Sequence, residues 1–167
     1  MTQLTHYTSK FNKKQFPITI ICNNISNAPN IGSLFRTADA FGVEQLIFCG
    51  DDIPMGRKMT KTARATEKVV PFKIEANALE AAMALKQEGY QIIALEITSN
   101  SNPLHSFTYN QQFPTALVIG DENFGVSEEV LKNCDHILHI EMFGQNSSMN
   151  VVQATSVALY ELTKQMM

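Results

Sequence analysis

The sequence contains no tryptophan and only three cysteines. Cys22, Cys49 and Cys134 are odd in number and lack CxxC spacing, which argues against both a disulfide framework and a zinc site. Two of them close apolar runs, where reduced, buried thiols are common. No apolar run approaches the roughly 20 residues needed to span a bilayer. The opening Met1-Thr2-Gln3-Leu4-Thr5-His6 has neither a basic leader nor an apolar signal core, so a cytoplasmic protein with no membrane partner is expected. Positive charge is scarce as well: 13 Lys and Arg against 16 Asp and Glu leave a net charge of −3. That balance argues against a broad, nonspecific hold on nucleic acid, which rests on neutralising many phosphates. The glycine fingerprint of a Rossmann-type dinucleotide site is also missing after the first apolar run.

What is present suits one compact α/β domain, since 44% of the 167 residues are hydrophobic. Residues 1–16 are polar and weakly patterned and read as an amino-terminal extension, with residues 17–167 as the folded domain. Ile18–Cys22, Gln45–Cys49, Gln91–Glu96, Thr115–Ile119 and His136–Ile140 are strand candidates. Helical spacing covers Ile31–Phe41, Ala76–Glu88, Val126–Asn133 with Ser127 as a cap, and about Asn150 to Gln165. The stretch holding Gly50, Pro54 and Gly56 reads as a loop. Strands alternating with helices imply a single-domain, mostly parallel sheet with helices on both faces.

Three polar segments follow strand candidates, at the sheet edge where open α/β proteins bind ligands. The first runs from Asn24 through Asn30 to Arg36, a guanidinium within an otherwise apolar helix. It must find an anionic partner, either a ligand such as a phosphate or an ion pair with Asp39 or Glu44, or stay at the surface. The second is Gly120-Asp121-Glu122-Asn123-Phe124-Gly125. It is no Walker loop, because Val126 and Ser127 replace the required Lys and Ser/Thr, and its two acids repel phosphate. The third leads from Met142 and Gly144 through Ser147 and Ser148 to Asn150. Ser148 or Asn150 is equally well placed as a simple helix cap. Arg57, Lys58, Lys61, Arg64, Lys68 and Lys73 form a local basic stretch and Lys10, Lys13 and Lys14 a smaller one, readable as solvated faces or as RNA contacts. His136 and His139 sit at odd spacing on one strand and so cannot share a metal site; no metal is expected.

Taken in order, the segments resemble a known family. Asn24, Asn27, Asn30 and Gly32 lead into Arg36-Thr37-Ala38-Asp39-Ala40-Phe41-Gly42. Gly120-Asp121-Glu122 precedes Gly125-Val126-Ser127, and Ile140, Met142 and Gly144 precede Ser148-Met149-Asn150-Val151. This pattern, from Asn24 to Glu161, is similar to the three motifs of the SpoU (TrmH-like) group of SPOUT RNA methyltransferases. It departs from them at Asp121 (usually Asn), Glu141 (commonly Pro) and Val152 (frequently Ser).

The resemblance implies a carboxy-terminal trefoil knot, a rare exception to unthreaded chains, and a homodimer whose active sites are completed across the interface. It implies S-adenosyl-L-methionine as cofactor and transfer of its methyl group to a ribose 2'-hydroxyl of a structured RNA, tRNA or rRNA, with tRNA favoured. The alternative is a catalytically inactive RNA-binding module of the same fold. The catalytic residues implied are Asn30, Arg36, Glu122, Ser148 and Asn150, with Arg36 stabilising the developing alkoxide rather than acting as a literal base. Leu95, Gly120, Ile140, Met142, Gly144, Ser148 and Met149 are implied at the cofactor. The extra amino-terminal RNA-binding domain of many ribosomal RNA members is not expected here, so residues 1–16 and Arg57, Lys58, Lys61 and Arg64 are expected to dock the RNA. The methyl donor carries its own leaving group, so the chemistry requires no metal.

Overall fold

The computed structural model describes residues 2–5 and 8–167; His6, expected at the surface, lies outside them. The frame is a seven-stranded sheet in which every pair is parallel, in the order β3-β2-β1-β6-β4-β7-β5. The strands are β1 (Phe16–Asn23), β2 (Val43–Cys49), β3 (Phe72–Glu75), β4 (Gln91–Leu95), β5 (Asn102–Pro103), β6 (Thr115–Gly120) and β7 (His136–His139). β1 lies inside the sheet, between β2 and β6, and is buried from Ile18 onward. Its side chains alternate as a strand must: Ile18, Ile20 and Cys22 enter one core and Ile21 the other.

Those two cores correspond to two helical layers. α1 (Ala28–Ala40), α2 (Arg57–Ala63) and α5 (Val151–Met166) cover one face, contributing Ile31, Leu34, Phe35, Met59, Ala158, Leu159 and Leu162. α3 (Ala78–Gln87) and α4 (Glu128–Asn133) cover the other through Ala78, Ala81, Ala82, Leu85 and Val130. The two-faced α/β sheet expected from the sequence is therefore present.

Local chemistry sets where the helices begin. α1 opens three residues before the apolar spacing starts, because the Asn27 side chain accepts the Asn30 amide (3.0 Å) and Pro29 lies in the first turn. Ser127 does occupy the position before α4, but its hydroxyl makes no capping bond. Phe16, placed in the extension by its polar neighbours, is buried as the first residue of β1.

The loop expected at Gly50, Pro54 and Gly56 is present, and α2, which no element expected from the sequence covered, follows it directly. α2 is fastened to α1 through Gly32, where a Cβ would collide with the Met59 carbonyl oxygen and the Thr62 hydroxyl. Gly32 thus belongs to the first motif for a packing reason: only a hydrogen lets the two helices approach so closely.

Candidate active site

The carboxyl ends of β1, β6, β4 and β7 lie side by side, with Asn23 in register with Gly120 and Leu95 with both Ile119 and Leu138. All three polar segments leave the sheet from this edge. Asn30 on α1 donates through Nδ2 to Glu122 Oε1 (2.9 Å). Asn150 Nδ2 donates to the same oxygen (2.8 Å) and to Asn30 Oδ1 (3.3 Å). One carboxylate oxygen therefore ties the three motifs together, across separations of 92 and 28 residues. Asn150 also caps α5, its Oδ1 accepting from Val152 N at 2.9 Å and Gln153 N at 3.4 Å. One side chain thus uses its two ends, Oδ1 for the helix cap and Nδ2 for the junction with Glu122 and Asn30.

The turn carrying Glu122 is braced from several sides. Asp121 Oδ1 accepts the amides of Asn123 (2.8 Å) and Phe124 (3.1 Å), and its carbonyl accepts that of Gly125 (2.8 Å). An Asn at this position offers the same oxygen, so the departure from the motif preserves the turn. Glu96, just past β4, receives Val126 N on Oε2 and Ile97 N on Oε1, both at 2.9 Å. Asn23 Oδ1 receives Ser127 N (2.9 Å). Gly120 leaves no room for a Cβ, which would strike the backbone of Gly125 and Val126.

Between these loops lies a cleft of about 450 Å³, within the usual size range of small-molecule sites. Its wall includes Leu95, Gly120, Ile140, Met142, Ser148 and Met149, with Glu122 at its rim. Gly144, the remaining expected cofactor residue, is outside that wall, on an exposed turn with open space around it. Asn30 and Asn150 reach the cleft only through Glu122. Arg36 is exposed two turns along α1, lines none of the cleft and, among the described residues, pairs with neither Asp39 nor Glu44. Glu141 faces a neighbouring hollow, 3.3 Å from His105 Nδ1, rather than the cleft.

Arg57, Lys58 and Lys61 are exposed on α2 and Arg64 ends it in the left-handed conformation; among the described residues none is ion-paired. α2 follows β2, so it leaves from the same sheet edge as the cleft. Of Lys10, Lys13 and Lys14, which precede β1, Lys14 lies at the opposite edge, where its Nζ donates to the Met166 carbonyl (3.1 Å). Lys14 is thus separated from the basic side chains of α2 by the length of the strands.

Glu96, Asn23 and Phe124 were not singled out by the sequence. The available signal for Glu96 is a carboxylate immediately after the apolar run Ile92-Ile93-Ala94-Leu95. His139 lines the cleft with Nδ1 2.9 Å from Ser101 Oγ, whereas the His136 ring packs on Phe107 with centroids 4.9 Å apart. Among the described residues no group of three or more His, Cys, Asp or Glu side chains is arranged to hold a metal. Burial pushes the Cys22 thiol well up, that of Cys49 up to about 12 and that of Cys134 to about 11, so none is a ready nucleophile near neutrality.

The SpoU rRNA Methylase family model matches residues 17–160. The chain belongs to the SpoU rRNA methylase family. It is 30% identical over 155 residues to the tRNA (guanosine(18)-2'-O)-methyltransferase of Thermus thermophilus, covering 92% of this chain and 77% of that protein. Its fold matches the crystal structure of the TrmH/SpoU tRNA modifying enzyme of Aquifex aeolicus with a TM-score of 0.82, at 29% identity and over 92% and 77% of the two chains. The AdoMet-bound rRNA methyltransferase from Sinorhizobium meliloti shares the fold at a TM-score of 0.81 and 20% identity, over 94% and 59% of the chains. The chain spans from 38% to 77% of the length of its curated SpoU relatives. The SpoU family, the parallel α/β fold and the methyltransferase class expected from the three motifs all hold.

Proposed function

We propose that this SpoU protein transfers the methyl group of S-adenosyl-L-methionine to a ribose 2'-hydroxyl of a structured RNA, with tRNA favoured over rRNA. The observation that carries the proposal is the junction of Asn30, Glu122 and Asn150 at the rim of a cleft in the sheet's carboxyl edge. The tRNA preference rests on the Thermus relative, named for a tRNA nucleotide.

The residues present suit the cofactor. Leu95, Ile119, Ile140, Met142 and Met149 give the cleft apolar walls for a flat base. Gly120 brings main chain to the surface where a side chain would fill the space. Glu96, Asp121 and Glu122 line the same cleft, so its field favours a cationic ligand over an anionic one. When bound, S-adenosyl-L-methionine supplies a methyl group already activated on a positively charged sulfur.

The protein's part is to position the ribose and manage its proton. A 2'-hydroxyl is a poor nucleophile near neutral pH, and charge builds on its oxygen as the proton leaves. Glu122 Oε1 is held by two amides, which fixes the carboxylate, while among the described residues Oε2 has no donor and remains free to accept from the ribose. Ser148 lines the same cleft. A guanidinium stays charged at any accessible pH, so Arg36 acts by stabilising the developing oxyanion, together with an RNA phosphate.

Arg36 does not reach the cleft of its own protomer, and this supports a homodimer in which α1 of one protomer completes the site of its partner. Thr37 Oγ1 lies 3.4 Å from Ser156 Oγ, so α1 and α5 form one face, and Val157 (42% exposed) and Tyr160 (62% exposed) leave apolar surface on the α5 side. The trefoil knot belongs to the same proposal; it is supported by the passage of the 121–127 and 140–150 segments around one cleft.

The test is a calorimetric titration with S-adenosyl-L-methionine followed by transfer of labelled methyl to bulk tRNA. Saturable binding and label in RNA that resists alkaline cleavage at one ribose are expected. Cofactor binding with no transfer, or RNA binding with no cofactor binding, refutes the enzyme and favours the inactive RNA-binding module.

A further inference from the structure

Phe124 is 91% exposed and belongs to neither hydrophobic core, yet it lies on the wall of the cleft. A phenyl ring left in water forgoes the stabilisation that burial provides. A single exposed apolar residue is ordinarily unremarkable, but the main chain that carries this one is held in place. Its own amide is bound by Asp121 Oδ1 (3.1 Å), Gly125 behind it is in the left-handed conformation at φ +67°, and the next residue is anchored by Glu96 (2.9 Å). The same turn carries Glu122 two residues earlier, tied to α1 and α5. The turn is therefore rigid, and it presents a bare aromatic face beside the group proposed to meet the ribose.

We infer that Phe124 is a positioning residue on which the target nucleotide's base stacks, so that the ribose bearing that base is held over Glu122. This rests on the proposed RNA 2'-O-methylation. Unstacked bases of structured RNA are commonly received on aromatic side chains, and every base has a face to offer, so stacking fixes position with little base specificity. A base seated on Phe124 has its ribose adjacent, which matches the short span from residue 124 to residue 122.

The experiment uses the full chain and, as RNA, bulk tRNA from cells lacking the gene. Phe124→Ala is expected to raise KM for the RNA by roughly 5- to 140-fold, the equivalent of ~1–3 kcal/mol for one base on one ring. Calorimetric affinity for S-adenosyl-L-methionine and the oligomeric state on sedimentation are expected to stay at the wild-type values. Phe124→Trp retains the low KM, and Phe124→Leu, equally apolar but without a flat face, does not. Unchanged KM in Phe124→Ala, equal rescue by Leu and Trp, weakened cofactor affinity as the main effect, or a change in oligomeric state each overturns the stacking role. A wild-type protein that methylates no RNA sinks the parent proposal and this role with it. An active wild type with an indifferent Phe124→Ala variant sinks this role alone.

Discussion

Gly120→Ala adds one carbon at the point where β6 turns into the Glu122 loop. That carbon would overlap the Gly125 carbonyl group and the Val126 nitrogen, all of it main chain, so no side chain can swing aside. Overpacking typically costs about 1–3 kcal/mol, and a site walled by backbone belongs near the upper end of that range. For a chain of this size each kcal/mol corresponds to about 2–4 °C in Tm, giving a fall of roughly 6–12 °C. The functional effect is expected to be larger than the stability effect. Relief of the clash pushes the 121–127 turn outward, which draws Glu122 from Asn30 and Asn150. A displacement of about 1 Å can lower a rate 10²-fold. Thermal unfolding and kcat/KM for methyl transfer, measured below the variant's Tm, read the two effects separately. A variant with wild-type Tm and wild-type kcat/KM would show that the turn does not pack as described and that the junction it carries is not needed.

Three other perturbations address different parts of the account. Arg36→Ala and Glu122→Ala are each expected to be inactive alone, but subunit exchange between them should restore roughly a quarter of wild-type activity, the statistical yield of one intact site per mixed dimer; no restoration would place Arg36 in its own protomer's site or outside the reaction. Replacing Lys58 or Lys61 on α2 by Ala should weaken RNA binding and reduce the slope of log affinity against log salt by about one per lost phosphate contact, whereas an unchanged slope removes α2 from the interface. Asp135 accepts the Ile92 amide (2.8 Å) and pairs with Lys86 (2.7 Å); partial burial pushes its pKa up, but these two partners outweigh it and leave the carboxyl below its usual range. A lowered folded-state pKa contributes stability above the unfolded value of about 3.9 that is lost as pH falls through the folded value. Asp135→Asn should therefore lower Tm at pH 7 by at most about 2–4 °C, given solvent screening of a half-exposed pair, with the gap closing in acid; a gap that persists undiminished at low pH contradicts this.

The elements legible in the sequence were those with one dominant local signal. β1, β2, β4 and β6 are near-continuous apolar runs because helices bury both faces of the sheet. α3 and α5 are strong helix formers with Asn77 and Asn150 as caps. α2 was hidden because it is one and a half to two turns long, rich in Thr and Lys, and buries only Met59 and Ala63. β3 was hidden because, as an edge strand exposed along its length, Phe72-Lys73-Ile74-Glu75 needs no apolar run. β5, only Asn102–Pro103, exists solely through pairing with β7.

The site shows the same division. The residue types at its heart were readable because each motif is local in sequence. The shared acceptor, Glu122 Oε1, was not, since which of several amides meets which oxygen is decided by loop closure across the sheet edge. Glu96 and Asn23 act through backbone amides of a distant turn, and such partners leave no pattern in their own neighbourhood. Arg36, expected to stabilise the developing alkoxide, is carried two turns of helix away from the cleft of its own protomer.

The most direct test is mass spectrometry of nucleosides from tRNA of cells with and without the gene. The account predicts that one 2'-O-methylated nucleoside is present with the gene, absent without it, and restored by the wild-type chain but not by Glu122→Ala. An unchanged set of 2'-O-methylated nucleosides in both tRNA and rRNA would contradict it.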